Sequence, residues 1–431
     1  MRSRLDKCKR LWCAKLSINF KKIIMRKFLI FLFLFPLLLA SCGGRGAAKG
    51  EGNATAGEVD SLLYARNLSL ERFIIGEDGS NSSNNSDSSE KSAGFRPGSR
   101  PESRHIYIAT VRNPWDTAKT LQRYILIPRG MEIPEGLPKG AVVRVPVEKA
   151  LVYSSLHAGL IDDLGAAKGI GGVCNGRFIT DPGLRERIKQ GEVTDCGEGM
   201  NPDMEKIIHL HPDLIMLSPF ENNDRYGKVA QMGIPVIECA DYMETSALGQ
   251  AEWMKFYGLL FGKGEEARER FDSIAGRYND FKAEAARREY HPKVIMDQVY
   301  GQSWSVPGGE STMGRLIEDA GGVNPFARYK QSGGVPLAPE KVLAEAGDAD
   351  IWLVRYNQGS EKSLQELSRD AAVNSQFKAF KLKNVYGCNT GQIPFFDETP
   401  FHPDMLLEEL MKLFEKPDGD PHGLRYFKRM E

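Results

Sequence analysis

No Gly-x-Ser-x-Gly elbow, no His-Glu-x-x-His pair and no Gly-rich phosphate loop closed by Lys-Ser or Lys-Thr occurs in this sequence. The signatures of serine hydrolases, zinc proteases and nucleotide hydrolases are therefore missing. Cysteine is sparse and unpaired: none of the 7 residues forms a Cys-x-x-Cys motif. Cys174, Cys196, Cys239 and Cys388 read as small apolar residues at strand ends rather than a disulfide framework or a metal cluster. His209 and His211 stand just before Pro212 with no carboxylate or cysteine company, which suits the end of a helix better than a metal site. Long hydrophobic runs are lacking too. The run from Phe28 to Leu39 is short of the roughly 20 apolar residues that span a bilayer. The formal net charge of zero hides an asymmetry, because residues 1–41 hold most of the excess base. Without them, 47 basic and 56 acidic residues remain, a net charge of −9. A negative chain with no basic tract is a poor partner for nucleic acid.

What is present begins with Met25-Arg-Lys27 and the apolar run behind it, a charged region and a hydrophobic region in the order of an export signal. Leu39-Ala-Ser-Cys42 then puts small residues ahead of a cysteine. This is similar to a bacterial lipoprotein signal, in which Cys42 would take the lipid and become the mature N-terminus. Residues 1–24 fit no part of such a signal, and Met25 is the more natural start. Residues 43–57 and 76–101 are rich in Gly, Ala, Ser and Asn, as in a tether and a low-complexity linker. The expected division is a signal region at 1–41, tether and linker at 42–104, and a β-rich extension at 105–147. A first lobe at 148–245, bridging helices at 246–290 and a second lobe at 291–431 follow.

The bridge organises the rest. A helical run from Gln250 pauses at Gly262-Lys-Gly264, and a second run carries Ala267, Phe271, Ile274, Ala275, Tyr278 and Phe281 on one stripe of a 3.6-residue period. With no proline before Pro292, such a helix would reach roughly 35 Å, enough to join two lobes. Each flank repeats one scheme: a helix ending in Gly165 or Gly321, a helix opening with Glu205 or Glu340, then a buried strand at 214–218 or 351–355. Alternating strands and helices mean mainly parallel sheets covered on both faces, and hence an α/β fold of two lobes. Ahead of them, 105–111 and 124–127 alternate as an antiparallel pair across Asn113-Pro-Trp115. Segment 59–75 reads as a strand or a short helix.

Open parallel sheets gather ligands beyond the carboxyl ends of their strands. Those loops offer Ser154, His157, Arg177, Glu221 and Tyr242 from the first half, and Tyr300, Trp304, Arg355 and Phe396 from the second. Aromatics with a few polar and charged groups suit a bulky ligand with polar edges. Trp304 and Tyr300 would stack on a flat macrocycle or catecholate, and Arg177 and Arg355 would meet an anionic chelate. No catalytic residue, cofactor or metal site is expected.

The order of several short motifs gives this pattern a family resemblance. Val152-Tyr-Ser-Ser, Asn201-Pro-Asp-Met-Glu205, Pro212-Asp213, Trp304-Ser-Val-Pro-Gly-Gly309, Leu316-Ile-Glu-Asp-Ala-Gly-Gly322, Pro339-Glu340 and His402-Pro-Asp-Met-Leu-Leu407 follow one another around the central helix. Together they resemble the iron-complex and vitamin B12 periplasmic binding proteins, the solute receptors of ABC importers. The resemblance implies two lobes on a rigid helix that close little, and Glu205 and Glu340 docking onto arginines of a permease dimer. It implies a periplasmic, membrane-anchored lipoprotein that captures an iron–siderophore, haem or cobalamin. The cargo would pass to a permease with its own ATPase subunits, and no reaction would be catalysed. The alternatives are a chelatase-like metal-handling enzyme, for which His157 with Glu221 or Asp241 is the plausible set, and a sensor or interaction lipoprotein.

Overall fold

The computed structural model describes residues 58–60, 62–74, 105–220, 227–415 and 421–431. The signal region, Cys42 and Glu221 lie outside them.

Strands β1 (Glu58–Asp60), β2 (Leu68–Ile74), β3 (His105–Arg112), β4 (Thr120–Pro128) and β5 (Ala141–Val145) form one sheet in that order. All neighbours are antiparallel except β4 and β5. Asn113 makes the expected turn between β3 and β4, its side-chain oxygen accepting the Trp115 and Asp116 amides. Strand alternation splits β3 and β4 between two environments. Tyr107, Ala109, Val111, Tyr124 and Leu126 join the main core, while Ile106, Ile125 and Ile127 form a small cluster of their own.

The first lobe runs β6 (Ala150–Val152), α1 (Ser155–Asp163), β7 (Ile170–Val173), α2 (Pro182–Lys189) and β8 (Thr194–Asp195). A hairpin of β9 (Gly197–Glu198) and β10 (Asn201–Pro202), then α3 (Met204–Leu210), β11 (Leu214–Leu217) and β12 (Val236–Glu238), complete it. Its sheet has the order β12-β11-β6-β7-β8 and every pair is parallel. The extension is fastened to its edge: the Tyr124 hydroxyl accepts the Glu238 amide at 2.8 Å and donates to the Val236 carbonyl at 3.0 Å.

The bridge is α4 (Ala247–Glu252), α5 (Met254–Leu260) and α6 (Gly264–Ala285). Gly262, at φ +69°, breaks the run where its sequence pauses, a conformation that costs other residues a Cβ clash. The 22 residues of α6 reach about 33 Å, and Ala267, Phe271, Ile274, Ala275 and Tyr278 are buried along the expected stripe.

The second lobe holds β13 (Val294–Met296), β14 (Val299–Tyr300), β15 (Ser303–Pro307), α7 (Thr312–Asp319), β16 (Gly334–Leu337) and α8 (Pro339–Ala346). It continues through β17 (Ile351–Tyr356), α9 (Leu364–Asp370), α10 (Lys378–Lys381), β18 (Val385–Asn389), α11 (Phe395–Glu398), α12 (Pro403–Leu413) and β19 (Lys428–Arg429). Strands β13, β17 and β18 are parallel, and β19 closes the edge antiparallel. A separate antiparallel sheet, β14-β15-β16, stands beside it. The stretch 293–300 is not one continuous strand. The chain instead turns at Asp297, whose φ of +63° ends β13 and starts a hairpin; Asp is among the few residues that tolerate this region.

The fold is thus mixed α/β, two lobes with parallel sheets that do not merge into one, joined by a long helix. Among the described residues no helix is long and apolar enough to cross a membrane.

Candidate functional site

The carboxyl ends of the parallel strands carry a distinctive set of side chains. The exposed aromatics among the described residues are Phe178, Phe220, Tyr242, Tyr300 and Phe396. Phe178 follows β7, Phe220 follows β11 and Tyr242 follows β12. In the second lobe Tyr300 sits before the hairpin turn beyond β13, and Phe396 lies on α11 after β18. Aromatic surface of this size is costly to leave in water. These exposed rings gather at the strand ends of both lobes.

Two arginines support those aromatics. The Arg177 guanidinium lies 4.6 Å from the Phe178 ring and pairs with Glu198 at 3.1 Å. The Asn175 side chain accepts the Gly199 amide at 3.0 Å, fixing the β9–β10 hairpin to this loop. Arg355 makes a forked pair with Asp297, Nε to Oδ1 at 2.8 Å and Nη2 to Oδ2 at 2.7 Å. It also lies 5.5 Å and 5.4 Å from the Phe395 and Phe396 rings. Burial works against the charge on Arg355, and Asp297 outweighs it, raising the pKa above the ordinary value. The Tyr242 hydroxyl donates to the Pro219 carbonyl at 2.6 Å, holding its ring beside the Phe220 loop.

Asp397, on the same short helix as Phe396, ties the lobes together. One oxygen accepts the Ser155 hydroxyl at 2.5 Å and the other the Thr180 hydroxyl at 2.9 Å. At the far end of α1, His402 Nε2 meets Asp163 at 3.0 Å. Helix α1 is pinned to the second lobe at both ends. Ser154 is the N-cap of α1, and its side chain makes no capping hydrogen bond.

Two expected site residues belong to the core instead. His157 is 2% exposed, with Nε2 2.9 Å from Asp241 Oδ1, and the same oxygen accepts the Tyr257 hydroxyl at 2.7 Å. It points inward from α1 toward the bridge because its helical position falls on the stripe of Ala158 and Ile161. Burial lowers its pKa, yet Cys239 and Asp241 beside it hold it well above the ordinary histidine value. Trp304 is fully buried; its indole donates to the Met296 carbonyl at 2.9 Å and stacks on Trp352 with centroids 5.4 Å apart. Strand parity decides this: Trp304 and Val306 face in, Ser303 and Ser305 face out. Neither reaches the seam.

Sequence reading missed Phe178, Asp297, Asp397 and the exposed Met200 at the β9–β10 turn. Phe178 adjoins a residue that was found, and Gly197-Glu-Gly-Met-Asn carries turn residues that mark a hairpin. Nothing local marks Asp397, whose partners lie more than two hundred positions away.

Glu205 and Glu340 occupy the same place in their lobes, the second residue of α3 and of α8. Both are exposed, and neither carboxylate has a hydrogen bond or ion pair among the described residues. Cys174, Cys196, Cys239 and Cys388 are buried free thiols.

A family model described as periplasmic binding protein matches residues 164–390. A lipoprotein of Methanocaldococcus jannaschii is 27% identical over 257 residues, which cover 57% of this chain and 60% of that protein. The chain thus aligns with less than two thirds of that relative. The iron(3+)-hydroxamate-binding protein YxeB of Bacillus subtilis is 23% identical, over 58% of this chain and 75% of its own. The structure of the petrobactin-binding protein YclQ from Bacillus subtilis superposes with a TM-score of 0.50 at 18% identity, covering 71% of this chain and 98% of that one. An ABC transporter substrate-binding protein from Listeria monocytogenes gives 0.50 at 18% identity, covering 62% and 98%. Those two structures share the fold. With more than half of its length matched, this chain belongs to the periplasmic binding protein family.

Proposed function

We propose that this protein is a lipid-anchored solute receptor of an ABC importer. It takes up a metal chelate, an iron–siderophore, haem or cobalamin, at the seam between its lobes and delivers it to a permease dimer. The observation that carries this reading is the collection of exposed aromatics at the strand ends of both lobes. A bulky ligand with flat or apolar faces covers such a surface, and two arginines fixed by carboxylates orient its polar edges. The hydroxamate-binding relative and the high-affinity heme uptake protein IsdE of Staphylococcus aureus, 23% identical over 52% of this chain, support the ligand class. Cys42 would carry the lipid that holds the receptor at the membrane, and Glu205 and Glu340 would meet arginines of the permease.

The burial of His157 and Asp241 favours binding over a chelatase-like reaction, because a substrate would have to displace the core to reach them. Titration of the purified protein with ferric siderophores, haemin and cobalamin, followed by absorbance and calorimetry, tests the reading. Saturable binding of one class, weakened by Arg355→Ala and by Phe396→Ala, is expected. Failure of every chelate to bind, or binding indifferent to both substitutions, would remove the proposed seam.

A further inference from the structure

We infer that the chelate this receptor takes is electroneutral, such as a ferric tris-hydroxamate or a cobalamin, rather than a polyanionic catecholate complex. The inference rests on the receptor reading above and concerns which members of that ligand class fit the seam.

Among the described residues, each guanidinium that lies against an exposed aromatic of the seam is paired with a carboxylate. Arg177, over Phe178, is held by Glu198 at 3.1 Å. Arg355, beside Phe396, is held by both oxygens of Asp297 at 2.8 and 2.7 Å. Asp397, next to Phe396, adds a carboxylate whose two partners are hydroxyls of Ser155 and Thr180, not cations. These five charged side chains therefore sum to a single negative charge.

A triply charged anion brought against the arginines would meet Glu198 at 3.1 Å from Arg177 and Asp297 at 2.8 Å from Arg355, with Asp397 next to Phe396 in the chain. Such distances lie inside the screening length of about 8 Å at physiological salt. Capturing Arg355 would require giving up a forked pair that is largely buried, leaving Asp297 uncompensated, whereas the exposed Arg177–Glu198 pair yields more readily. A ferric ion balanced by three singly charged hydroxamates, or a corrinoid, asks for none of this. It presents apolar and hydrogen-bonding surface to the aromatics and leaves both pairs intact.

The pairs also explain why the arginines are present at all. A guanidinium locked by a carboxylate keeps its flat face against a ring, as Arg177 does on Phe178, and stiffens that ring for contact. The forked Arg355–Asp297 pair does the same under Phe396, and the left-handed backbone of Asp297 (φ +63°) aims its carboxylate at the guanidinium.

Calorimetric titration with ferrichrome, cyanocobalamin and ferric enterobactin tests this, using wild type, Glu198→Gln and Asp297→Asn. Both variants keep side-chain shape, and Asn tolerates the left-handed backbone at 297. At least one neutral chelate should bind the wild type about tenfold or more tighter than ferric enterobactin, a gap of about 1.4 kcal/mol. Each variant, by freeing an arginine, should narrow that ratio by improving the catecholate. Ferric enterobactin binding as tightly as the neutral probes would overturn the inference while leaving the receptor reading standing, as would a ratio that neither variant shifts. Absence of binding by all three would overturn the inference, and the receptor reading would fall with it only where haemin also fails to bind.

Discussion

Asp213 and Lys149 exchange two hydrogen bonds where the first lobe's sheet begins. The Asp213 amide donates to the Lys149 carbonyl at 2.8 Å, and the Lys149 amide donates to an Asp213 carboxylate oxygen at 3.0 Å. Asp350 and Lys293 repeat the arrangement in the second lobe, at 2.8 Å for both bonds. In each lobe the aspartate opens the strand that pairs beside the lobe's first strand, Leu214 against Ala150 and Ile351 against Val294. In each, that strand follows the helix bearing Glu205 or Glu340. The two halves are built on one plan, and the equivalence of the glutamates follows from the plan rather than from chance.

These aspartates should therefore matter to stability. Asp213 also accepts the Glu148 amide at 2.9 Å and pairs with Arg129 at 2.6 Å. Asp213→Ala and Asp350→Ala should each cost about 2 kcal/mol, the usual range for hydrogen bonds to a charged group. Urea unfolding followed by circular dichroism measures it. An unchanged midpoint in both variants would mean the paired bonds contribute nothing net.

The carboxylates of Glu205 and Glu340 make a different prediction, because no partner among the described residues depends on them. Reversing both, Glu205→Lys with Glu340→Lys, should leave the melting temperature and chelate binding in solution close to wild type. Uptake by cells or proteoliposomes containing the permease should fall to background. Charges at the rim of an interface govern encounter and orientation, so raised salt should mimic the variants in part. Equal loss of binding in solution would assign the residues to the fold.

The N-terminal segment is part of the body. Five consecutive amides, Leu63 to Asn67, are donated to just two carboxylates, Glu252 in the bridge and Glu244 just ahead of it. Glu252 accepts the first three at 2.7–3.0 Å, and Glu244 accepts the next two at 2.8–3.1 Å. Glu252 is fully buried and is partnered by Lys255 as well. Glu252→Ala should destabilise by about 3 kcal/mol or more, since it strands three amides and a lysine. Removing residues 59–140 would also strip Tyr124 from the edge of β12 and should yield insoluble protein. Soluble, ligand-binding protein after that deletion would make the extension accessory.

How much of this was legible in the sequence depends on the range of the interactions involved. Helix α6 and its apolar stripe were readable because the period lies within 22 residues. The lobes were readable because Pro212-Asp213 and Asp350 stand before obvious buried strands. The site was readable only in outline. Loops at strand ends pointed to Arg177, Tyr242, Tyr300, Arg355 and Phe396, of which Tyr242, Tyr300 and Phe396 are exposed aromatics. His157 and Trp304 were misplaced because the direction of a side chain depends on helix phase and strand parity, which a loop assignment ignores. Asp397 was invisible because its role depends on a partner 242 residues away.

Burial pushes the Glu409 carboxyl up from its ordinary 4.5, although the amides of Arg425, Tyr426 and Phe427 that it accepts pull the other way. Glu244 is raised by burial in the same manner, against the Trp253 indole and the Arg66 and Asn67 amides. A folded pKa above the unfolded one means the folded chain binds the proton more tightly. The stability these groups contribute is then full below about pH 4.5 and declines as the pH rises through the folded pKa. Glutamine at either position cannot titrate. The stability of wild type relative to Glu409→Gln should therefore be greatest near pH 4.5 and shrink toward neutral pH, with Glu244→Gln behaving alike. Denaturant midpoints of the three proteins across pH 4.5–8 measure the slope. A difference that grows toward neutral pH would show that the backbone amides, not burial, set the charge of these carboxyls.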